Sequence, residues 1–327
     1  MSVSNTYTPS APAGRPGQGS GIANREDLDS RLTLLDAANY PLQMLCGRGP
    51  KAKSTLVEWP VDIYADPDDS GVPEGEDVTG FEDAFASVAR LQGRVQHFRR
   101  SWRVSKEQQL SESAGPQDKA RAKVKKMIEL KRDIEKAIAS SNDAVAQGAG
   151  IAAKMRGLDK WISTTPGSDV AADYVTPAAS IITTLTEITL NDVLRSIHEQ
   201  NGEVNYLTAV NGSRVQQEIA EFQRTDNNAS ETVYHVHQAA ESKKVTLSVK
   251  VYESDFGFVK MALANPKCQS NLKSFLLNPN YVELRYLDEA KGYELEDQGG
   301  GPRGYTEAFL TLAVRDPRAH GKITLAS

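Results

Sequence analysis

The chain has 327 residues, a quarter of them charged, with 38 Lys and Arg against 43 Asp and Glu for a formal charge of -5. That balance argues against a protein that holds nucleic acid by neutralising phosphates, a task that needs a basic face. Two distant cysteines, Cys46 and Cys268, offer neither a disulfide framework nor zinc spacing, and no apolar run reaches the roughly 20 residues of a membrane span or follows a basic start as a leader would.

Residues 1–30 are expected to form a flexible arm, because through Asn24 they are mostly Pro, Gly, Ser, Thr and Ala and cannot offset ordering entropy by burial. Residues 31–53 turn apolar, reach "NYPLQMLC" and are broken by Gly47, Gly49 and Pro50. Two alternating, β-branched and aromatic runs follow, 54–65 and 93–105, and read as the strands of a long hairpin spanning 54–105. Its outer part carries Asp66, Asp68, Asp69, Glu74, Glu76 and Asp77, with no Lys or Arg from 54 through 89, whereas the return carries Arg94, Arg99, Arg100 and Arg103. A two-stranded hairpin has too little core to stand alone in water. The segregated charges therefore mark these ten residues as candidates for contact with another subunit.

Residues 116–147 place Val124, Met127, Ile134, Ile138 and Val145 at helical spacing, with Glu129 and Asp133 near Arg132 and Lys136, which predicts a spine helix about 45 Å long. Next comes "GLDKWISTTPG", a turn anchored by Trp161. A compact α/β pattern follows. "TLNDVLRSIHEQNG" reads as a helix capped by Thr189 or Asn191, "VNYLTAV" as a buried strand, "NGSRVQQEIAEFQ" as a second helix, and "KKVTLSVKVYESDFGFVKMAL" as two antiparallel strands. "NYVELRYL" and "EAFLTLAVRD" are strand-like.

Three stretches imitate nucleotide enzymes. "GRGPKAKST" at 47–55 has Ala52 where a phosphate loop needs Gly, Pro50 in place of an amide donor, and a strand instead of a helix after Lys53 and Ser54. "SDFG" lacks the other kinase motifs, and "GGGPRG" lies too near the C-terminus for a dinucleotide fold. All three read as turns. His235 and His237 share a strand face, but no third ligand is near in sequence. No catalytic residue, cofactor or metal ligand is nominated, and the protein is expected not to be an enzyme.

The order of arm, charged hairpin, spine helix and small α/β domain resembles the major capsid proteins of tailed bacteriophages, with the Hong Kong 97-like capsid fold of the α+β class. "PLQMLCGRGPKAKSTLVEWPVD", "ELKRDIEKAI", "RGLDKWIST" and "VYESDFGFV" carry the resemblance, which covers the chain from about Leu32. It implies an extended loop over 54–105 with arms 56–64 and 94–104. It further implies a peripheral domain over 106–176, an axial domain over 177–243, and strands over 244–327 that return to the peripheral domain. The implied partners are further copies of the chain in hexamers, pentamers and a closed shell, a separate scaffolding protein, a portal and a decoration protein. Packaged double-stranded DNA would be a non-specific neighbour, with no membrane; the place would be the virion capsid, and the host cytoplasm during assembly. An encapsulin-like compartment and, less readily, a nucleotide-binding enzyme are the alternatives.

Overall fold

The computed structural model describes residues 39–81, 83–110, 118–201, 204–222 and 250–326. The expected arm, the start of the spine helix, His235, His237 and the strand before Lys250 lie outside the described residues. Helix α1 (Pro41–Leu45) and the short strand β1 (Gly47–Arg48) lead into β2 (Leu56–Val61), β3 (Ala89–Arg94) and β4 (Gln96–Arg103). Then come α2 (Lys106–Leu110), α3 (Asp118–Ile138), α4 (Leu158–Trp161), β5 (Ile181–Ile182), α5 (Glu187–Asn201), β6 (Thr208–Asn211) and α6 (Ser213–Glu221). The chain closes with β7 (Val251–Ser254), β8 (Gly257–Leu263), β9 (Lys273–Leu277), β10 (Val282–Leu295), β11 (Arg303–Val314) and β12 (Gly321–Thr324).

One sheet has the order β1-β10-β11-β4, and its long central pair runs antiparallel from Val282 opposite Val314 to Leu295 opposite Arg303. Along β11 the buried residues Ala308, Leu310, Leu312 and Val314 recur every second position on one face, while Thr311 and Ala313 between them are buried on the other, where β3 lies against the strand. Helix α3 packs on this sheet through Leu130, Ile134 and Ile138, four residues apart and fully or nearly buried. The second sheet has the order β5-β12-β9-β6-β8-β7. Its central strands are buried on both faces, so Phe275, Leu277 and Val210 join the core under α3. Leu276 and Ala209 join a second core made by Leu190, Val193, Leu194 and Ile197 of α5 with Val215 and Ile219 of α6. That double burial explains why "SFLL" reads as an unbroken apolar run.

Two ion clusters brace the body, the first across to the second sheet and the other beside the first core. Asp159 of α4 pairs with Lys273 of β9 at 2.6 Å and Lys322 of β12 at 3.0 Å. Burial pushes its carboxyl upward, but the hydrogen bonds and attraction of both lysines outweigh burial and hold it below the usual aspartate value. Arg156 lies buried over the Trp161 ring and pairs with Asp143 and Asp169.

Three expectations need correction. The spine helix ends at Ile138, about 32 Å from its start, rather than at 147. Ser140 Oγ donates to the Ala137 carbonyl and the Asn142 carbonyl accepts from Gly157 N–H, so the chain turns, and Val145 pairs instead with Lys154. The strand opposite β2 is β3, not residues 94–104; β4 belongs to the sheet and pairs with β11 from Arg103 opposite Arg303 to Gln96 opposite Leu310. The α5 cap is Thr186, whose hydroxyl accepts from Thr189 N–H while Thr189 Oγ1 accepts from Thr186 N–H, a reciprocal box that starts the helix earlier than Thr189 or Asn191.

Candidate assembly surfaces

The three enzyme-like stretches resolve into connections. Residues 47–55 run extended along β10, with Gly49 N–H on the Leu284 carbonyl and Ala52 N–H on the Tyr286 carbonyl, and strand β2 follows where a phosphate loop would start its helix. "SDFG" closes the β7–β8 hairpin with Ser254 opposite Gly257, whose φ of 139° lies in glycine's territory. In "GGGPRG" the Asp297 carboxylate accepts from the N–H groups of Gly299 and Gly301, both with positive φ, and so turns β10 into β11.

The β2–β3 ribbon is rooted in the first core. Val57, Trp59 and Leu91 are buried there, Trp59 Nε1 donates to the Val314 carbonyl at 3.2 Å, and Gly93 lies so close to Thr311 of β11 that a Cβ would collide with its hydroxyl. Beyond the root the loop is cinched. Ser87 Oγ donates to Asp62 and to the Ile63 carbonyl, while Tyr174 OH donates to the Ser87 carbonyl at 2.6 Å. Past this clasp the described residues of 64–86 are exposed and form no strand.

Asp66, Asp68, Asp69, Glu74, Glu76 and Asp77 all lie in that outer loop, exposed and with no cation beside them among the described residues. Asp68 accepts two hydrogen bonds from Ser70, which hold its carboxyl below the usual value. The four arginines do not share its environment. Arg94 ends β3, whereas Arg99, Arg100 and Arg103 lie on β4, outside the ribbon. Arg100 makes a fork with Asp133 of α3, 2.6 Å from Nη2 to Oδ1, and so braces strand against helix within its own subunit. Arg99 and Arg103 fall out of phase with it along the strand, and Arg103 donates to the Gly300 carbonyl. The structure therefore brings the acids together in one loop, separates them from the arginines, and engages Arg100 internally.

Two features were missed in the sequence. The outer loop exposes Tyr64, Val72, Val78, Phe81 and Phe85, large apolar side chains that an isolated soluble subunit has no reason to carry. The signal was present as aromatics inside an acidic, Pro- and Gly-punctuated segment. Glu135 is the second: it is buried in α3, and its two carboxylate oxygens accept from Leu42 N–H at 2.8 Å and Gln43 N–H at 3.0 Å, capping α1 at the point where the N-terminal residues join the body. Nothing local to "ELKRDIEKAI" announces a carboxylate whose partners lie more than 90 residues away.

The family model described as SU10 major capsid protein matches residues 8–327. The chain belongs to that family. It is a major capsid protein of a tailed phage, a structural component of the virion and its icosahedral shell and not an enzyme. No curated protein matches the sequence. Among solved structures, the capsid of cyanophage P-SCSP1u is similar with a TM-score of 0.63 at 10% identity, over 98% of this chain and 100% of that one. The capsid of a native GTA particle gives 0.61 at 12% identity over 97% and 100%, and Mycobacterium phage Che8 gives 0.56 at 12% over 94% and 98%. At these identities the likeness shows the fold, the Hong Kong 97-like capsid fold over nearly the full chain. Family membership selects the coat protein over the encapsulin-like compartment and the nucleotide enzyme that the sequence left open. For this SU10-family subunit, surfaces that meet other copies are the functional sites.

Proposed function

We propose that the subunit assembles through its extended loop, as hexamers and pentamers of a closed shell around packaged double-stranded DNA. The observation that carries this reading is the contrast within the loop: a root locked by Trp59, Leu91 and Gly93, and an outer part whose exposed apolar and acidic side chains meet no cation and no body residue among the described residues. A closed shell needs heterologous contacts repeated around axes, and segments that become buried only against a neighbour supply them. On this reading the first core is the peripheral domain and the second, around α5 and α6, is the axial domain whose loops meet at the symmetry axes. The net negative charge suits a container that lets packaged DNA go, since DNA here is a neighbour rather than a ligand. Assembly is helped by a separate scaffolding protein, and the shell carries a portal and a decoration protein.

The acidic loop is proposed to meet Arg94, Arg99 and Arg103 of adjacent copies, while Arg100 stays with Asp133. Reversing Arg99 and Arg103 to Glu should leave a subunit with unchanged thermal unfolding that fails to form shells. Normal shell yield from the double variant would overturn the charge pairing. Efficient shell formation by this chain expressed alone would remove the scaffolding partner.

A further inference from the structure

We infer that an open cationic cleft between α3 and the end of β4 touches the phosphate backbone of packaged double-stranded DNA, through Arg121 and Lys125. The inference rests on the shell reading above and deepens it by naming the surface that meets the DNA. A cleft of about 410 Å³ is lined there by Arg103, Ser105, Gln108, Arg121 and Lys125, with no carboxylate in its lining. The subunit as a whole is acidic, yet the first part of α3 is not: residues 118–126 carry Lys119, Arg121, Lys123, Lys125 and Lys126 against Asp118 alone. Three of these cations are matched, Lys119 and Lys123 by Glu294 and Lys126 by Glu129. Arg121 and Lys125 have no ion pair among the described residues. They stand four residues apart, so their like charges lie together on one side of the helix and weaken it unless an anion meets them both. Arg103 is engaged with the Gly300 carbonyl, which leaves the helix pair as the charge the cleft has to offer.

The lining chooses between the anions that a coat subunit meets. An acidic segment of another chain would need an apolar anchor, because protein interfaces take their energy from buried aromatic and aliphatic side chains and are depleted of lysine. The apolar part of this lining is only Ala122 and Val104, and Val104 is itself buried. Phosphate contacts use the opposite set, Arg and Lys together with hydroxyl and amide side chains. Ser105 supplies the hydroxyl: its oxygen accepts from Gln108 N–H at 3.2 Å, and its proton is left to donate. Arg121 and Lys125 are about 6 Å apart along the helix axis, close to the roughly 7 Å rise of two nucleotides on one DNA strand. Such a contact carries no base sequence, as a wall that meets every part of a genome requires. Two cations per subunit touch the duplex without gripping it, in keeping with the negative charge of the whole. This side of α3 therefore faces the interior of the shell.

The test first measures binding of the full-length chain to a short fluorescent DNA duplex by anisotropy. Arg121→Gln combined with Lys125→Gln should weaken binding at low salt about ten-fold and make the fall of log affinity with log salt shallower by about two. Equal affinity and slope in the double variant would overturn the site. Polyglutamate that displaces the duplex as well as unlabelled DNA does, charge for charge, would assign the cleft to an acidic protein segment and reject DNA. The place of the cleft in the shell is read in DNA-filled particles made with the neighbouring phage genes and Lys125→Cys, the new thiol carrying an aryl azide; the native Cys46 and Cys268 are buried. Irradiation should leave coat protein joined to DNA on denaturing gels. Filled particles without that product would overturn the contact while leaving the shell reading intact. Loss of shells in the glutamine double variant would assign the cleft to a contact between subunits and overturn it equally. Failure of the wild-type chain to form any shell or ring under the same conditions would overturn the shell reading, and this proposal with it.

Discussion

Glu135 and His320 show how much a single buried side chain decides in this subunit. Removing the Glu135 carboxylate strands the buried Leu42 N–H and its neighbour on Gln43, an unsatisfied-donor penalty of about 1–3 kcal/mol. Glu135→Ala should therefore destabilise the subunit by that amount and speed hydrogen exchange at those two amides before any other in the first core; unchanged exchange there would contradict the capping role. His320 is fully buried, with Nδ1 accepting from Asn278 N–H at 3.1 Å and Nε2 meeting no partner among the described residues. Burial depresses its pKa to about 4 from 6.5. Between those values the unfolded chain binds a proton that the folded chain does not, so stability falls as pH drops from 6.5 to 4, by on the order of 3 kcal/mol. Glu135 works the other way, since burial raises its carboxyl and the stability that gives is lost as pH rises. His320→Asn retains an acceptor for Asn278 and should flatten the urea-unfolding profile between pH 4 and 6.5; an unaltered slope would assign the acid sensitivity elsewhere. Neither role was legible in the sequence, because in both cases the partner is a backbone group brought in by the fold.

At the scale of elements, the root of the ribbon carries the argument. Two strands alone are marginal in water, so Trp59, Val57 and Leu91 must hold β2 and β3 against the sheet. Trp59→Ala should cost about 3–5 kcal/mol and make the loop beyond Asp62 an early site of limited proteolysis. If that loop is cut no faster than in the native subunit, the ribbon is not rooted through Trp59. Helix α3 was legible where its apolar residues recur at helical spacing, and its end was not, because Ser140 and Asn142 stop it only through contacts with Ala137 and Gly157. Gly157 is held there by the Ser140 carbonyl, which a Cβ would strike. The ribbon's return strand was misplaced for a similar reason. Residues 89–103 alternate with no breaker at Val95, and only the partner β11, some 200 residues later, separates β4 from β3. Alternation shows that a strand is present; its neighbour is fixed by packing.

Across the described residues, the order of elements was readable from the sequence, since acidic loop, spine helix and α/β unit follow one another in the chain. Two of the nucleotide-like stretches, "SDFG" and "GGGPRG", are the turns the sequence suggested, whereas "GRGPKAKST" instead runs extended along β10. What the sequence hid was the sharing of one sheet by two cores, because β9 and β6 show only unbroken apolar runs and not which side chain faces which core. It also hid the division among the arginines: Arg100 braces its own helix through Asp133, while Arg103 donates to the Gly300 carbonyl on the other face of the strand. A subunit built this way holds its body together by burial, and on the proposed reading its exposed loop is satisfied by other copies. Electron microscopy of the full-length protein co-expressed with its neighbouring phage genes tests that claim most directly. The account predicts closed icosahedral shells, or hexamer and pentamer rings on the way to them; a uniform monomer under those conditions would contradict it.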